Sequence, residues 1–247
     1  MYEEHARFTA PSDPATPVWR YMDFAKFVSL LHRSALFFPN AASLGDPYEG
    51  SYPIANVRLR PSWYGQYADS IESQSRGEKL RLLQSTLISC WHMNDVESAA
   101  MWRLYAGQGY GIAIQSTLDR LRKAFTLPQP LYIGVVRYLR YDLEPIPEGN
   151  LFDPFLHKRA SFAHEQELRA ITNRYVAPGT IEAWEVAKGP PPYLGDYVAT
   201  DFAVLIERVY TSPASPSWYT EAVAAAAARF QLAAPVHASD LDLPPSY

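Results

Sequence analysis

Cysteine is almost absent: the chain of 247 residues has a single one, Cys90. An intramolecular disulfide is therefore excluded, and so is a zinc cluster built from thiolates alone. Long apolar runs are missing too. No window approaches the roughly 18 to 20 apolar residues of a membrane span, and the alanine-rich run Ala222–Ala228 is short and weakly apolar. The opening MYEEHARFTAPSDP is acidic and lacks an apolar centre, which argues against a signal peptide. The expectation is a cytoplasmic protein that does not enter a membrane. Dense basic clusters are also lacking. Lys and Arg number 22 against 26 Asp and Glu, so charge does not indicate nucleic-acid binding. The RYLRYD stretch, Arg137–Asp142, is basic and aromatic, but a solvated strand accounts for it as well. Familiar catalytic signatures are missing: GxGxxG after a strand, GxxxxGK(S/T), HExxH and GxSxG.

What is present is core material. Apolar residues make up 48% of the chain and aromatics 14%, which rules against a disordered chain. Residues 1–17 hold several prolines and small residues and read as a flexible N-terminal arm. Residues 18–247 read as a single domain. VWRYM is a short apolar strand, and Asp23 then caps a helix whose Phe24, Phe27, Val28 and Leu31 fall on one face. ALFF is a strand, ended by the turn-rich PNAASLGDPYEG. Residues 61–84 look helical, and TLISCWH is a buried strand. Asn94 and Glu97 have capping-box spacing before the next helix. GYGIAIQ and LYIGVVRYL are strands, with a helix from Ser116 between them. Residues 153–163 look helical and HEQELRAI is a strand. A capped helix, a strand, a long helix and a short strand complete the chain, and AKGPPPYLG reads as a loop. Strands and helices mix without a regular βαβ rhythm, so the fold class is α+β.

Three places could carry chemistry. Cys90 and His92 share one face of a strand. They could be a nucleophilic pair, or Cys90 could simply be a buried small apolar residue. His92 and His164 could join a carboxylate around a metal, although no ligands stand at tight helical spacing. In FAHEQELRAI, strand alternation puts Glu165, Glu167 and Arg169 on one face. Neighbouring carboxylates repel, so they form either a solvated edge neutralised by Arg169 or a pair facing a cleft. Arg20 lies in an otherwise apolar strand and needs an anionic partner. That partner is an internal carboxylate, such as Asp46 or Glu49, or a bound phosphate. Ser89 sits in a third apolar strand, where a serine is usually a small space-filler.

The segments WRYMDFAKFVSLL, GDPYEG, ISCWHMNDVESAAMWRLYAGQGYGIAIQST, KRASFAHEQELRAI and DFAVLIERVYTSPASPSWY together resemble an uncharacterised family of bacterial and phage proteins, a domain of unknown function. The resemblance runs from about Val18 to Leu241 and implies no activity. The order Arg20, then Ser89 in LISCWH, then Glu165 and Glu167 in EQE also resembles the ADP-ribosyltransferase superfamily. The serine motif departs from it, reading S-C-W rather than S-T-S, and no toxin-type loop precedes EQE.

That second resemblance implies a mixed, mostly antiparallel split β-core flanked by helices, with NAD as substrate in a cleft. It implies an ADP-ribosyltransferase or NAD glycohydrolase, a toxin or phage-defence effector, with an unknown acceptor. Glu167 would be catalytic, Glu165 would activate the acceptor or water, and Ser89 would be scaffold. Arg20, Tyr21, Trp91 and His92 would contact the NAD, with Arg20, Ser89 and Glu167 converging on one cleft. Two other classes stay open. One is a metal-dependent hydrolase or nuclease using His92, Glu97, His164 and Glu165. The other is a non-enzymatic nucleotide-binding protein.

Overall fold

The computed structural model describes residues 1–105, 109–174 and 193–243. The chain opens with β1 (Pro17–Asp23), α1 (Phe24–Arg33) and β2 (Ala35–Pro39). Helices α2 (Ile54–Tyr64) and α3 (Ala68–Ser85) lead into β3 (Thr86–Met93). Then come α4 (Ala99–Tyr105), β4 (Gly111–Thr117), α5 (Leu118–Ala124), β5 (Tyr132–Val135) and β6 (Arg137–Leu139). β7 (His157–Arg159) and β8 (Glu167–Asn173) flank a 3-10 turn, Ala160–Glu165. The C-terminal part holds β9 (Gly195–Ala199), α6 (Phe202–Leu205), β10 (Arg208–Thr211), α7 (Ser217–Arg229) and β11 (Val236–Ala238).

Seven strands form one sheet in the order β11-β10-β4-β1-β3-β8-β5. Its pairings are antiparallel except β10 with β11, so the α+β class with a mostly antiparallel sheet and flanking helices holds. Two ribbons, β2-β9 and β6-β7, stand apart from it. The central seam is thin. β1 and β3 pair only at Val18–Met93 and Trp19–His92, whereas β1 pairs with β4 from Pro17–Thr117 through Asp23–Gly111.

Alternation along these strands sorts their side chains onto two faces. Val18, Ile112, Ile114, Trp91 and Leu168 point to one face, where Phe27, Leu30 and Leu31 of α1 complete the main core. Asp23 caps α1 as its position suggests, its carboxylate accepting from the Lys26 N–H at 2.8 Å. Each of those buried leucines contributes about 1.5–3 kcal/mol by leaving water. The opposite face carries Trp19, Tyr21 and Ala113 against Trp102 of α4, and Ile88 and Ile171 against Phe155 and Leu83.

Several expectations need correction. Residues 1–16 are not a loose arm. The Met1 ammonium donates to the Leu127 carbonyl at 2.6 Å, the Val135 N–H donates to Thr9 O at 2.8 Å, and Phe8 packs against Tyr132 and Phe152. The helical reading of 153–163 fails: this stretch is two short 3-10 turns around β7. Asn94 does not cap α4, which begins at Ala99. Glu97 is instead buried and accepts from Trp102 Nε1, Ser239 Oγ and the Asp240 N–H. The helix expected from Ser116 is capped by Thr117. Most of the AKGPPPYLG loop, and part of the glycine cluster at Gly107, lie outside the described residues.

Candidate functional site

Both expected groups of residues are at the sheet, on opposite faces. Arg20 faces the main core side with Ser89 and Trp91. It donates through Nη1 to Ser89 Oγ and to the Cys90 carbonyl (3.3 Å), and through Nη2 to Phe37 O at 3.3 Å. Trp91 Nε1 donates to the same Ser89 Oγ at 3.0 Å, and the guanidinium carbon lies 5.9 Å from the Trp91 ring centre. Arg20 thus fills the seam where the β1–β3 ladder stops. Among the described residues no carboxylate pairs with it, since Asp46 pairs with Arg159 and Glu49 with Arg169. Arg20 and Ser89 meet, with the hydroxyl in place of the anionic partner expected for Arg20, but Glu167 does not converge with them. Glu167 stands opposite His92 on the other face, with Tyr21 close to that histidine. The three-strand cleft is therefore withdrawn.

The other face holds a buried ionic cluster. Glu167 and Arg169 share a face of β8, and Arg169 Nε donates to Glu167 Oε2 at 2.6 Å. Arg169 also clamps Glu49 with two bonds of 2.7 and 3.0 Å and donates to Phe155 O. Glu165 is not on the strand. Gln166 adopts a left-handed φ of 41°, which ends the 3-10 turn and swings Glu165 in from outside the ladder. Lys158 of β7 bridges the two, its ammonium binding Glu165 Oε2 and, at 3.1 Å, Glu167 Oε1. Sequence reasoning missed Lys158 because its segment read as helix. The available signal was a lysine seven residues before Glu165 and nine before Glu167.

Glu49, Glu165 and Glu167 meet two cations, Lys158 and Arg169. Burial raises Glu49, despite Arg169, as it raises Glu165, so two of the three carboxyls hold a proton more readily than a free one. Burial alone would raise Glu167, but Arg169 and Lys158 outweigh it and hold its carboxyl at about 2. Burial and then the neighbouring Glu167 raise Glu165 above the usual carboxylate range. One carboxylate is fixed as an anion and its neighbour is poised to exchange a proton.

A partly exposed rim surrounds the pair. Tyr105 is 47% exposed and donates its hydroxyl to Glu165 Oε1 at 3.1 Å. The Tyr138 oxygen accepts the Glu167 N–H at 2.8 Å, and Phe162 lies 4.5 Å from the Lys158 ammonium. His92 closes the inner side. Its Nδ1 bonds the Glu165 carbonyl at 2.7 Å, which makes Nδ1 the protonated nitrogen. Burial lowers its pKa, so the ring is neutral.

Cys90 faces this cluster, but burial and then Glu167 push its thiol up to about 12. It stays protonated and is no nucleophile at neutral pH. Cys90→Ala is expected to lower the melting temperature by only a few degrees and to leave function unchanged, as a thermal melt beside an activity assay would show. Loss of activity in a folded Cys90→Ala protein would restore the Cys–His reading. The metal reading finds no footing either: among the described residues no group of three His, Cys, Asp or Glu side chains could hold an ion. Glu97 is held elsewhere by Trp102, Ser239 and Asp240. Compared with protein families, curated proteins and solved structures, the chain matches none of them.

Proposed function

We propose that this chain is an enzyme acting at a glycosidic bond of a nucleotide, with NAD as substrate and an NAD glycohydrolase or ADP-ribosyltransferase reaction as outcome. The carrying observation is the Glu165–Glu167 pair around Lys158, with the two carboxyls pushed in opposite directions. Breaking the nicotinamide–ribose bond passes through an oxocarbenium-like centre. A carboxylate held ionised beside that carbon stabilises the developing positive charge. Glu167 suits this role. Glu165, with its raised affinity for a proton, suits activation of water or an acceptor hydroxyl. Tyr105, Tyr138 and Phe162 supply aromatic surface for a flat base. Arg20 and Ser89 belong to the seam on the far side and take no part. The ADP-ribosyltransferase likeness accordingly rests on EQE alone, not on an Arg–Ser–Glu cleft. A nucleotide-binding protein without chemistry would use the same aromatic rim, and it would show binding with no released base.

The pH profile is a first test. If Glu165 acts as a base, it must lose its proton, so the rate should rise as pH increases through its raised pKa, above the usual carboxylate range. Glu165→Gln should flatten this limb and lower the maximum by roughly 10²–10⁴-fold, the usual worth of a general base. The acid side is limited by stability. Glu167 titrates lower folded than unfolded, so its contribution is present above the unfolded value and is lost as pH falls toward about 2. A rate that is flat from pH 4 to 8 in the unmodified protein would remove Glu165 from the mechanism. Incubation with NAD, followed by chromatography for free nicotinamide, tests the reaction itself.

A further inference from the structure

Helices α2 and α3 and the segment 148–154 border a cavity of about 440 Å³, a size within the range of small-molecule sites. One wall is a single stripe of α3. Ile71, Gln74, Ser75, Glu78, Lys79 and Leu82 recur there at helical spacing. The stripe is apolar only at its ends, whereas a helix packed on a core turns an apolar stripe inward. Tyr52, Tyr64 and Leu151 line the cavity as well. Arg60 lies against the Tyr52 ring, its guanidinium carbon 5.3 Å from the ring centre. The charges around this space pair off with one exception. Buried Arg60 holds Glu148 at 3.1 Å, and Arg81 holds Glu78. On the neighbouring turn, Asp46 pairs with Arg159 and Glu49 with Arg169. Lys79 has no carboxylate at ion-pair distance among the described residues. Its ammonium donates to Ser51 Oγ and, at 3.4 Å, to the Pro47 carbonyl. Those two bonds anchor it and leave one of its three hydrogens unspent. Burial outweighs the more distant Glu49 and Asp46 and lowers its proton affinity. An anion in the cavity would offset that penalty.

We propose that this cavity binds a small aromatic monocarboxylate, its ring against the tyrosines and its charge on Lys79. The inference does not rest on the glycosidic reading, since none of the carboxyls proposed for catalysis lines the space. One unpaired ammonium matches one negative charge. Phosphate sites use arginine forks or the N–H groups of a helix N-terminus. No arginine lines this cavity among the described residues, and Glu78 and Glu148 in its wall would repel a dianion. A cationic ligand would meet Lys79 and two carboxylates whose charge is already taken by Arg81 and Arg60. Tyr52 and Tyr64 favour a flat aromatic body, which gains from ring contacts beyond its buried area. Ile71, Leu82 and Leu151 extend the apolar surface available to it.

The test uses the full chain and four fluorinated probes followed by ¹⁹F NMR: 4-fluorobenzoate, 4-fluorobenzamide, 4-fluorobenzylamine and 4-fluorophenyl phosphate. The benzoate should bind saturably, with a Kd on the order of 1 mM for a ligand of so few atoms. The other three should bind roughly ten- to a hundredfold more weakly, the worth of one hydrogen bond to a charged group. Lys79→Met should bring the benzoate down to the level of the amide, and Lys79→Arg, which keeps the charge, should retain the preference. Gln74→Trp changes an exposed position on the same stripe of α3. It should fill the space and weaken the benzoate while leaving the thermal melt in place. Equal affinity for benzoate and benzamide, or tighter binding of the phosphate or the amine, overturns the proposal. So does benzoate binding that neither Lys79→Met nor Gln74→Trp reduces, or the absence of saturable benzoate binding.

Discussion

Arg169→Met is expected to lower stability by about 3–5 kcal/mol, the usual cost of stripping one partner from a buried ion pair. The side chain is fully buried. It anchors Glu49 on both oxygens, Glu167 on one and the Phe155 carbonyl. Burial opposes its charge, but Glu167 and Glu49 outweigh that and keep the guanidinium ionised. Removing it strands two carboxylates away from water. The total stability of a domain is about 5–15 kcal/mol, so the loss takes a large share of it. Urea unfolding followed by circular dichroism measures the shift. The double variant Glu49→Leu with Arg169→Met should recover part of it, because no Glu49 charge is then left stranded. A loss below about 1 kcal/mol in the single variant would mean that water reaches the cluster and that Glu167 is not held as described.

Glu167→Gln is expected to reduce turnover by two or more orders of magnitude, the scale seen when one preorganised electrostatic stabiliser is removed. Substrate binding should change only a few-fold, because the ground state carries no oxocarbenium charge at the ribose carbon. Some stability will also be lost, since Arg169 and Lys158 each give up a partner. They keep Glu49 and Glu165 respectively, so the fold should persist. Glu167→Asp separates the two effects. It retains the charge within the cluster but withdraws the carboxylate by about one bond length, enough to misplace it for catalysis. Stability near that of the unmodified protein with strongly reduced turnover is the expected pair of results. A fall in stability that parallels the fall in turnover would make Glu167 structural only.

Local signals in the sequence were the most legible ones. Asp23 caps α1, and the apolar spacing behind it buries Phe27 and Leu31. TLISCWH is a buried strand because its apolar residues serve two cores, Leu87 and Trp91 on one face and Ile88 on the other. The Arg20–Ser89 contact was not legible, since Arg20 called for an anionic partner and Ser89 read as a small space-filler. What escaped was decided over long distances or by one dihedral. Glu97 has capping-box spacing, yet its carboxylate serves Ser239 and Asp240 near the other end of the chain. Strand alternation correctly put Glu167 with Arg169, but the left-handed Gln166 could not be read from its neighbours, so Glu165 was placed on the strand. The proline-rich opening looked like a linker because its anchors, Leu127, Leu131 and Val135, lie more than a hundred residues away. The order Arg20, Ser89, Glu167 carried no information about faces. That depends on register, and Trp19 opposite His92 puts Arg20 on the wrong side.

The most direct measurement is release of nicotinamide from NAD, followed by chromatography, with the unmodified protein and its Glu167→Asp and Arg20→Lys variants run in parallel. The account predicts steady release by the unmodified protein, loss of roughly a hundredfold or more in Glu167→Asp, and near-normal release by folded Arg20→Lys, whose side chain lies across the sheet. No release by the unmodified protein with any acceptor, or release that depends on Arg20 and not on Glu167, would contradict it.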